Sequence, residues 1–407
     1  MTDQPSVSII DYGAVGDGVT DDSAALVAAL ATNKAVFIPY YNAAGTAPAI
    51  WYFNSTQTLA GQVSIEGDKR KPLVKQGAAP LFVLQGMHIN IENLMFDQSA
   101  QASTSDSTIQ LDTANGPLQA ICLKNLHFGS DQSLAGNLGG YRSICDTGGT
   151  DQVVDLTIAD VVLWSSKDTP LYFRNLLAAI FFEKVVVDFT RISTVISYPG
   201  IDISGGQGID MKNVAVQGRG TSGTVNANAD GFRIASGAAI DMTLCRADSV
   251  GGVGFNFSNL DGCQFISLVG SLCEREQYYL DNVTSSTFVS PFAGGRKGIV
   301  GATANMDGFS LNNSFGARVI GLRTIYATGN GVQWNNSSSG LLDGLYAGDN
   351  SLLGLKESNG SNYNVFGSGH THNNGSGNGV TVGSGTKVQN VILFSGTLHD
   401  AIGAGSW

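Results

Sequence analysis

The sequence predicts an all-β chain, a parallel β-helix (solenoid) closed at its start by one short capping helix. Three observations carry that reading. Gly makes up 53 of the 407 residues, about twice the usual share, while charged residues are only 14%. A glycine-led repeat runs through the second half of the chain with several steps of 23 residues. A polar turn residue recurs in phase within that repeat.

The repeat is written most clearly from Gly231. "GFRIASGAAIDMTLCRADSVG" starts there, "GFNFSNLDGCQFISLVGSLCEREQ" at Gly254, and "YYLDNVTSSTFVSP" follows from Tyr278. Further units open at Gly308, Gly331, Gly354 and Gly379. Each begins with glycine and an apolar residue, alternates as a strand, then turns at Ser236, Asn259, Asn313, Asn336, Asn359 or Ser384. Propeller blades need about 40–45 residues, whereas a unit near 23 accommodates three short strands and their turns. Stacked coils would bring the asparagines onto one edge, where their side chains satisfy turn backbone. Before Gly231 the register is rougher, but "MHINIENLMFD", "QAICLKNLHFG" and "AIFFEKVVVDF" keep strand alternation. The expected organisation is a 1–35 N-terminal segment with the capping helix at 20–31, a β-helix over 36–400, and a 401–407 tail.

The opening stretch "SIIDYGAVGDGVTDDSAALVAAL", from Ser8, crowds glycines and aspartates ahead of an alanine-rich helix. A phosphate loop would need Gly-Lys-Ser/Thr at the start of the helix, where Thr20, Asp21 and Asp22 stand instead. An EF-hand would need a Glu at the twelfth position of the loop, and none is present. Architecture fits better: Gly13, Gly16 and Gly18 permit positive φ, and Thr20 or Asp21 caps the helix.

This stretch resembles the N-terminal signature of the pectate-lyase-like, polygalacturonase-related superfamily, which includes bacteriophage tailspike depolymerases. "AVFIPYYN" from Ala35 and "TLAGQVSIEGD" after Gln57 continue it, so the likeness spans roughly residues 9–68. It implies a right-handed parallel β-helix and a polysaccharide-acting protein. It carries no catalytic residues.

Net charge is −11, so few cations are free to neutralise nucleic-acid phosphates. A locally basic groove for an anionic polysaccharide remains compatible with that balance. No apolar run is long enough for a membrane span, and "MTDQPSVS" lacks the charged start and apolar core of a secretory signal. The five cysteines, Cys122, Cys145, Cys245, Cys263 and Cys273, show no paired spacing and read as reduced, buried thiols. "GGQGIDMKN" from Gly205 matches a calcium-binding nonapeptide once, but that motif works only in tandem. No metal and no other cofactor is implied.

Glycoside hydrolysis needs two carboxyls, and stacked coils bring residues some twenty positions apart into reach. The expected catalytic group is Asp248 with Glu274 and Glu276, which follow the later strand of adjacent coils. Arg246 and Arg275 would hold an anionic sugar, and Tyr278, Tyr279 and Trp334 would offer aromatic surface. Asp230 closes an excursion, "GRGTSGTVNANAD", that breaks the repeat, and is the next choice for contact with substrate. Asp202, Asp210, Asp241, Asp281 and Asp349 are further acids of the kind solvent-facing turns usually carry. His370 and His372 read as turn residues without partners.

The function that the resemblance implies, with the acid cluster pointing to hydrolysis by paired carboxylates, is a depolymerase cleaving a bacterial surface polysaccharide (capsule, exopolysaccharide or O-antigen). A lyase acting by β-elimination and a non-catalytic carbohydrate-binding spike are the alternatives. The tailspike resemblance implies a virion tail location, a homotrimer, and a phage tail adaptor as a partner.

Overall fold

In the computed structural model, residues 6–77, 79–101, 107–129, 141–147, 152–164, 168–190, 196–218, 228–298, 302–376, 380–381, 385–388 and 391–394 are described. The chain is a right-handed parallel β-helix of short parallel strands with a capping helix, the one α-helix among the described residues. Two compact units divide it, Met1–Ile192 and Ser193–Trp407. Residues 401–407 lie outside the described part. Among the described residues no helix is long and apolar enough to cross a membrane.

The glycine- and aspartate-rich opening of the first unit is architectural. Gly13, Gly16 and Gly18 all take positive φ, at 94°, 72° and 76°. Any side chain at Gly16 would meet the buried Trp51 ring at 2.8 Å. The aspartates hold the turns: Asp22 accepts from the N–H groups of Val15 (2.7 Å) and Gly16 (3.2 Å), and Asp17 from those of Val19 and Thr20. Helix α1 covers Ser23–Leu30, shorter than expected, because Asp17–Asp21 is a strand paired with Ile50–Phe53. Its N-cap is Asp22, not Thr20 or Asp21, and that carboxylate is already turned to the preceding loop. Beyond it, parallel registers stack Ile65, Ile91, Leu123, Ile158 and Phe182 into one buried column.

In the second unit Phe232, Phe255, Tyr278, Phe309, Val332 and Leu355 occupy one interior column. Successive rings from Phe232 to Phe309 lie 5.0, 5.0 and 5.3 Å apart, within the range of favourable aromatic contact. Each turn bends at left-handed residues; Asn259, Gly262, Ser267 and Leu272 have φ of 53°, 62°, 53° and 53°. Asn suits such bends because its short polar side chain can bond locally. The corner that begins at Asn259 continues through Asn282, Asn313, Asn336 and Asn359. Their amides link neighbouring turns, Asn282 donating to Asn259 (2.8 Å), Asn313 to Asp281 (2.7 Å) and Asn336 to Asn313 (2.8 Å). All five cysteines are free; Cys145, Cys245, Cys263 and Cys273 are buried and Cys122 is half-buried.

Candidate active site

The candidate site grows from the residue two positions before each interior ring of the second unit. Backbone bonds from Gly231 to Val253, Gly254 to Glu276, Gly308 to Asn330 and Gly331 to Leu353 put Asp230, Val253, Glu276, Asp307, Asn330 and Leu353 at equivalent places. Three carboxyls therefore fall within four successive turns. Turns repeat at ~4.8 Å, which puts Glu276 one step from Asp307 and about two steps from Asp230.

Asp230 and Asp307 are built alike. Each stands in an Asp-Gly-Phe triplet, and its Oδ1 accepts the N–H of the next turn, from Val253 (2.9 Å) or Asn330 (2.7 Å). Gly252 and Gly329 leave room for these carboxyls, since a Cβ at either would come within 2.6 Å of the oxygen. Asp230 also accepts from the Asn256 amide at 2.8 Å, and Asp307 from the Asn330 amide at 2.9 Å.

Burial raises both acids above the usual carboxylate range, against the pull of those hydrogen bonds. Asp307 reaches about 6, with the negative charge of Glu276 adding to the effect of burial. For Asp230 the positive charges of Arg233 and Arg275 work the other way. Glu276 has Arg275 at 3.5 Å from Oε2. On the outward face of the adjoining strands, Asp202, Arg233, Asn256, Tyr279, Ser310, Gln333 and Lys356 form a polar column, with Arg233 2.7 Å from Asp202. Burial, together with the charges of Asp281 and Glu276, raises the Tyr279 phenol. A carboxyl raised towards neutrality beside a second carboxyl is the arrangement that acid–base cleavage of an acetal requires.

Of the residues expected from sequence, Asp230, Arg275, Glu276 and Tyr279 come together here. Others are placed elsewhere. Glu274 points inward, 2.7 Å from Arg296, with side chains only 3% and 5% exposed, so no substrate reaches it. Asp248 lies on the strand Arg246–Asp248, bonded to Arg246 (2.7 Å), Ser249 (3.2 Å) and Ser271 (2.8 Å). Those bonds engage both Asp248 and Arg246, and among the described residues neither is bonded to Glu274 or Glu276. Tyr278 is a core residue, its hydroxyl donating to the carbonyls of Leu268 (2.7 Å) and Phe292 (3.1 Å). Trp334 is likewise inside, 5.3 Å from Phe366, so neither ring can form a platform for sugar.

Asp307 is the residue that sequence reasoning missed. The step from Tyr278 to Phe309 is 31 residues where the two before it are 23, which hides the alignment. The repeated Asp-Gly-Phe triplet was the available signal. His370 and His372 are not isolated turn residues; they sit on the strand Gly369–His372, where the Tyr346 hydroxyl is 3.1 Å from His372 Nε2. Among the described residues no cluster of His, Cys, Asp and Glu is arranged to hold a metal ion.

No family profile and no curated protein sequence matches the chain. Solved structures do. The Dettilon tailspike protein matches with a TM-score of 0.54 at 10% identity, over 96% of this chain and 68% of that one. The A-module of mannuronan C-5 epimerase AlgE6 from Azotobacter vinelandii gives 0.46 at 12%, over 96% of this chain and 100% of the module. Tailspike protein 3 of bacteriophage CBA120 gives 0.47 at 12%, over 96% of this chain and 59% of that one. At these identities the likeness is one of fold.

Proposed function

We propose that the protein is a depolymerase that hydrolyses a bacterial surface polysaccharide, with Asp307 as the proton donor and Glu276 as its partner carboxyl. The observation that carries this reading is the row of carboxyls on adjacent turns, in which burial and Glu276 raise Asp307 to about 6. At neutral pH such a group still holds a useful fraction of its proton and can give it to the leaving oxygen. Glu276, one turn away and flanked by Arg275, attacks the anomeric carbon as the bond to the protonated leaving oxygen breaks. A water that gives its proton to Asp307 then hydrolyses the glycosyl–enzyme bond. Arg275 and Tyr279 would contact the sugar chain, with Asp230 buried behind them as an anchor of the next turn. The shared fold with the Dettilon tailspike supports a phage or prophage tail as the setting. A homotrimer joined to the tail through an adaptor goes with that proposal.

The test is incubation with a panel of capsular, exopolysaccharide and O-antigen glycans, scoring new reducing ends. Hydrolysis gives reducing ends without ultraviolet absorbance. Absorbance from unsaturated uronates would assign a lyase instead, and the absence of any cleavage would assign a binding spike.

A further inference from the structure

The first unit contains a second built feature, a cleft of about 350 Å³ lined by Gln110, Arg142, Cys145, Asp146, Thr147, Tyr172 and Arg174. Its floor is set by strand register: Gln110 pairs with Cys145, and Cys145 with Tyr172. Two guanidinium groups converge on the Tyr172 ring, Arg142 at 4.3 Å and Arg174 at 4.6 Å from its centroid. The turn bearing Arg174 is fixed from below, because Asp146 Oδ2 accepts the N–H groups of Arg174 (2.6 Å) and Asn175 (2.9 Å). Arg142 has a carboxylate partner in Asp168 at 3.4 Å. Among the described residues Arg174 has none.

We propose that this cleft recognises the carboxylate of a hexuronate residue in an acidic polysaccharide. A guanidinium fork matches a planar carboxylate through two parallel N–H···O bonds. Asp168 answers Arg142, and the Asp146 carboxylate at the cleft wall is engaged by the N–H groups of Arg174 and Asn175, so the Arg174 guanidinium is the cation left to meet a ligand. The low net charge suits a monoanion better than a phosphate dianion. The volume lies at the lower end for small-ligand sites and fits about one sugar ring. Gln110 and Thr147 supply the neutral polar groups that hydroxyls require. In a chain of net charge −11, two guanidinium groups converging on one ring are a local exception that general solubility does not call for. That the bound polymer is also the one cleaved rests on the depolymerase reading above; carboxylate recognition does not.

The experiment measures binding by calorimetry to hexamers of galacturonate, mannuronate and guluronate and to a hyaluronan hexasaccharide. Each is compared with its carboxyl-reduced form and with inorganic phosphate. At least one acidic oligomer should bind, its affinity should fall at least tenfold on carboxyl reduction, and Arg174→Gln should cause a similar loss. Arg174 is exposed, so this variant should fold, and Tyr172→Phe, which keeps the ring, should bind as the wild type does. The Asp307→Asn protein should bind as tightly as the wild type, whatever its cleavage activity. The proposal is overturned if no acidic oligomer binds, if reduced oligomers bind equally, if R174Q is indifferent, or if phosphate competes on equal terms. A protein that cleaves a neutral polymer and binds no uronate would sink this proposal and leave the hydrolase reading standing.

Discussion

Replacing Asp307 by Asn separates what its burial does for chemistry from what it does to stability. The amide keeps an oxygen for the Asn330 N–H, so the bond at 2.7 Å that anchors the next turn can persist. The proton that would go to the leaving oxygen is lost, and general acid catalysis supplies about 10²–10⁴ in rate, so kcat should fall by at least 100-fold. Stability should move the other way. In the unfolded chain the carboxyl ionises near 3.8, and in the folded protein near 6. Below pH 3.8 both states are protonated and the folded carboxyl carries no penalty. As pH rises through 6 the folded state must take up a charge in a poorly solvated place, so stability is lost over that window. The interval corresponds to about 3 kcal/mol at full burial, and partial solvent access reduces it to about 1–2 kcal/mol. Urea unfolding at pH 4 and pH 7 should therefore show Asp307→Asn near wild type at the lower pH and more stable at the higher. A variant that cleaves at the wild-type rate, or whose stability difference does not change with pH, would refute the assignment of Asp307 as a buried proton donor.

Other consequences follow from the placement of the remaining residues. Arg296→Met strands Glu274 without its cation and should cost about 3–5 kcal/mol in chemical denaturation, with Glu274→Gln/Arg296→Met recovering much of it. Asn336→Ala puts a side chain with no local hydrogen bond at φ 49° and removes the bond to Asn313. It should lower stability by about 1–2 kcal/mol, and Asn336→Gly by less than half as much. Trp334→Ala should lose about 3–5 kcal/mol through the cavity it leaves, yet cleave normally at a temperature where it stays folded, because the ring faces the core.

The repeat makes the fold legible, and its parity also assigns individual side chains to the core. After each leading glycine the next residue points inward and the one after it outward, as in Phe232 and Arg233. Applied to Gln277-Tyr278-Tyr279, where Gln replaces the glycine, that rule sends Tyr278 inward and Tyr279 outward. Applied to Gly331-Val332-Gln333-Trp334, it sends Trp334 inward. The sequence pattern alone thus assigns both rings to the core. Glu274 was not, because the group that lets a carboxylate be buried there is Arg296, 22 residues ahead on another turn. The cleft at Arg142 and Arg174 was hidden for a different reason. Strands of the first unit lack the glycine-led repeat, so nothing in the spacing announced that Cys145 and Tyr172 would be neighbours.

Asp230 and Asp307 pose the sharpest remaining question, since both carry the same triplet and both clamp the next turn. An anchoring role alone would make them interchangeable. What differs is the neighbouring turn: Glu276 is the next equivalent residue for Asp307, while Val253 stands between Asp230 and Glu276. The fields differ accordingly, with Glu276 raising Asp307 and Arg233 and Arg275 opposing the rise of Asp230. Asp230→Asn should therefore leave kcat within about tenfold, against the loss of at least 100-fold for Asp307→Asn. Both variants retain an acceptor for the clamped N–H, so circular dichroism should be unchanged in each. Equal losses of kcat at the two positions would mean that the turn geometry, rather than the carboxyl beside Glu276, is what hydrolysis depends on.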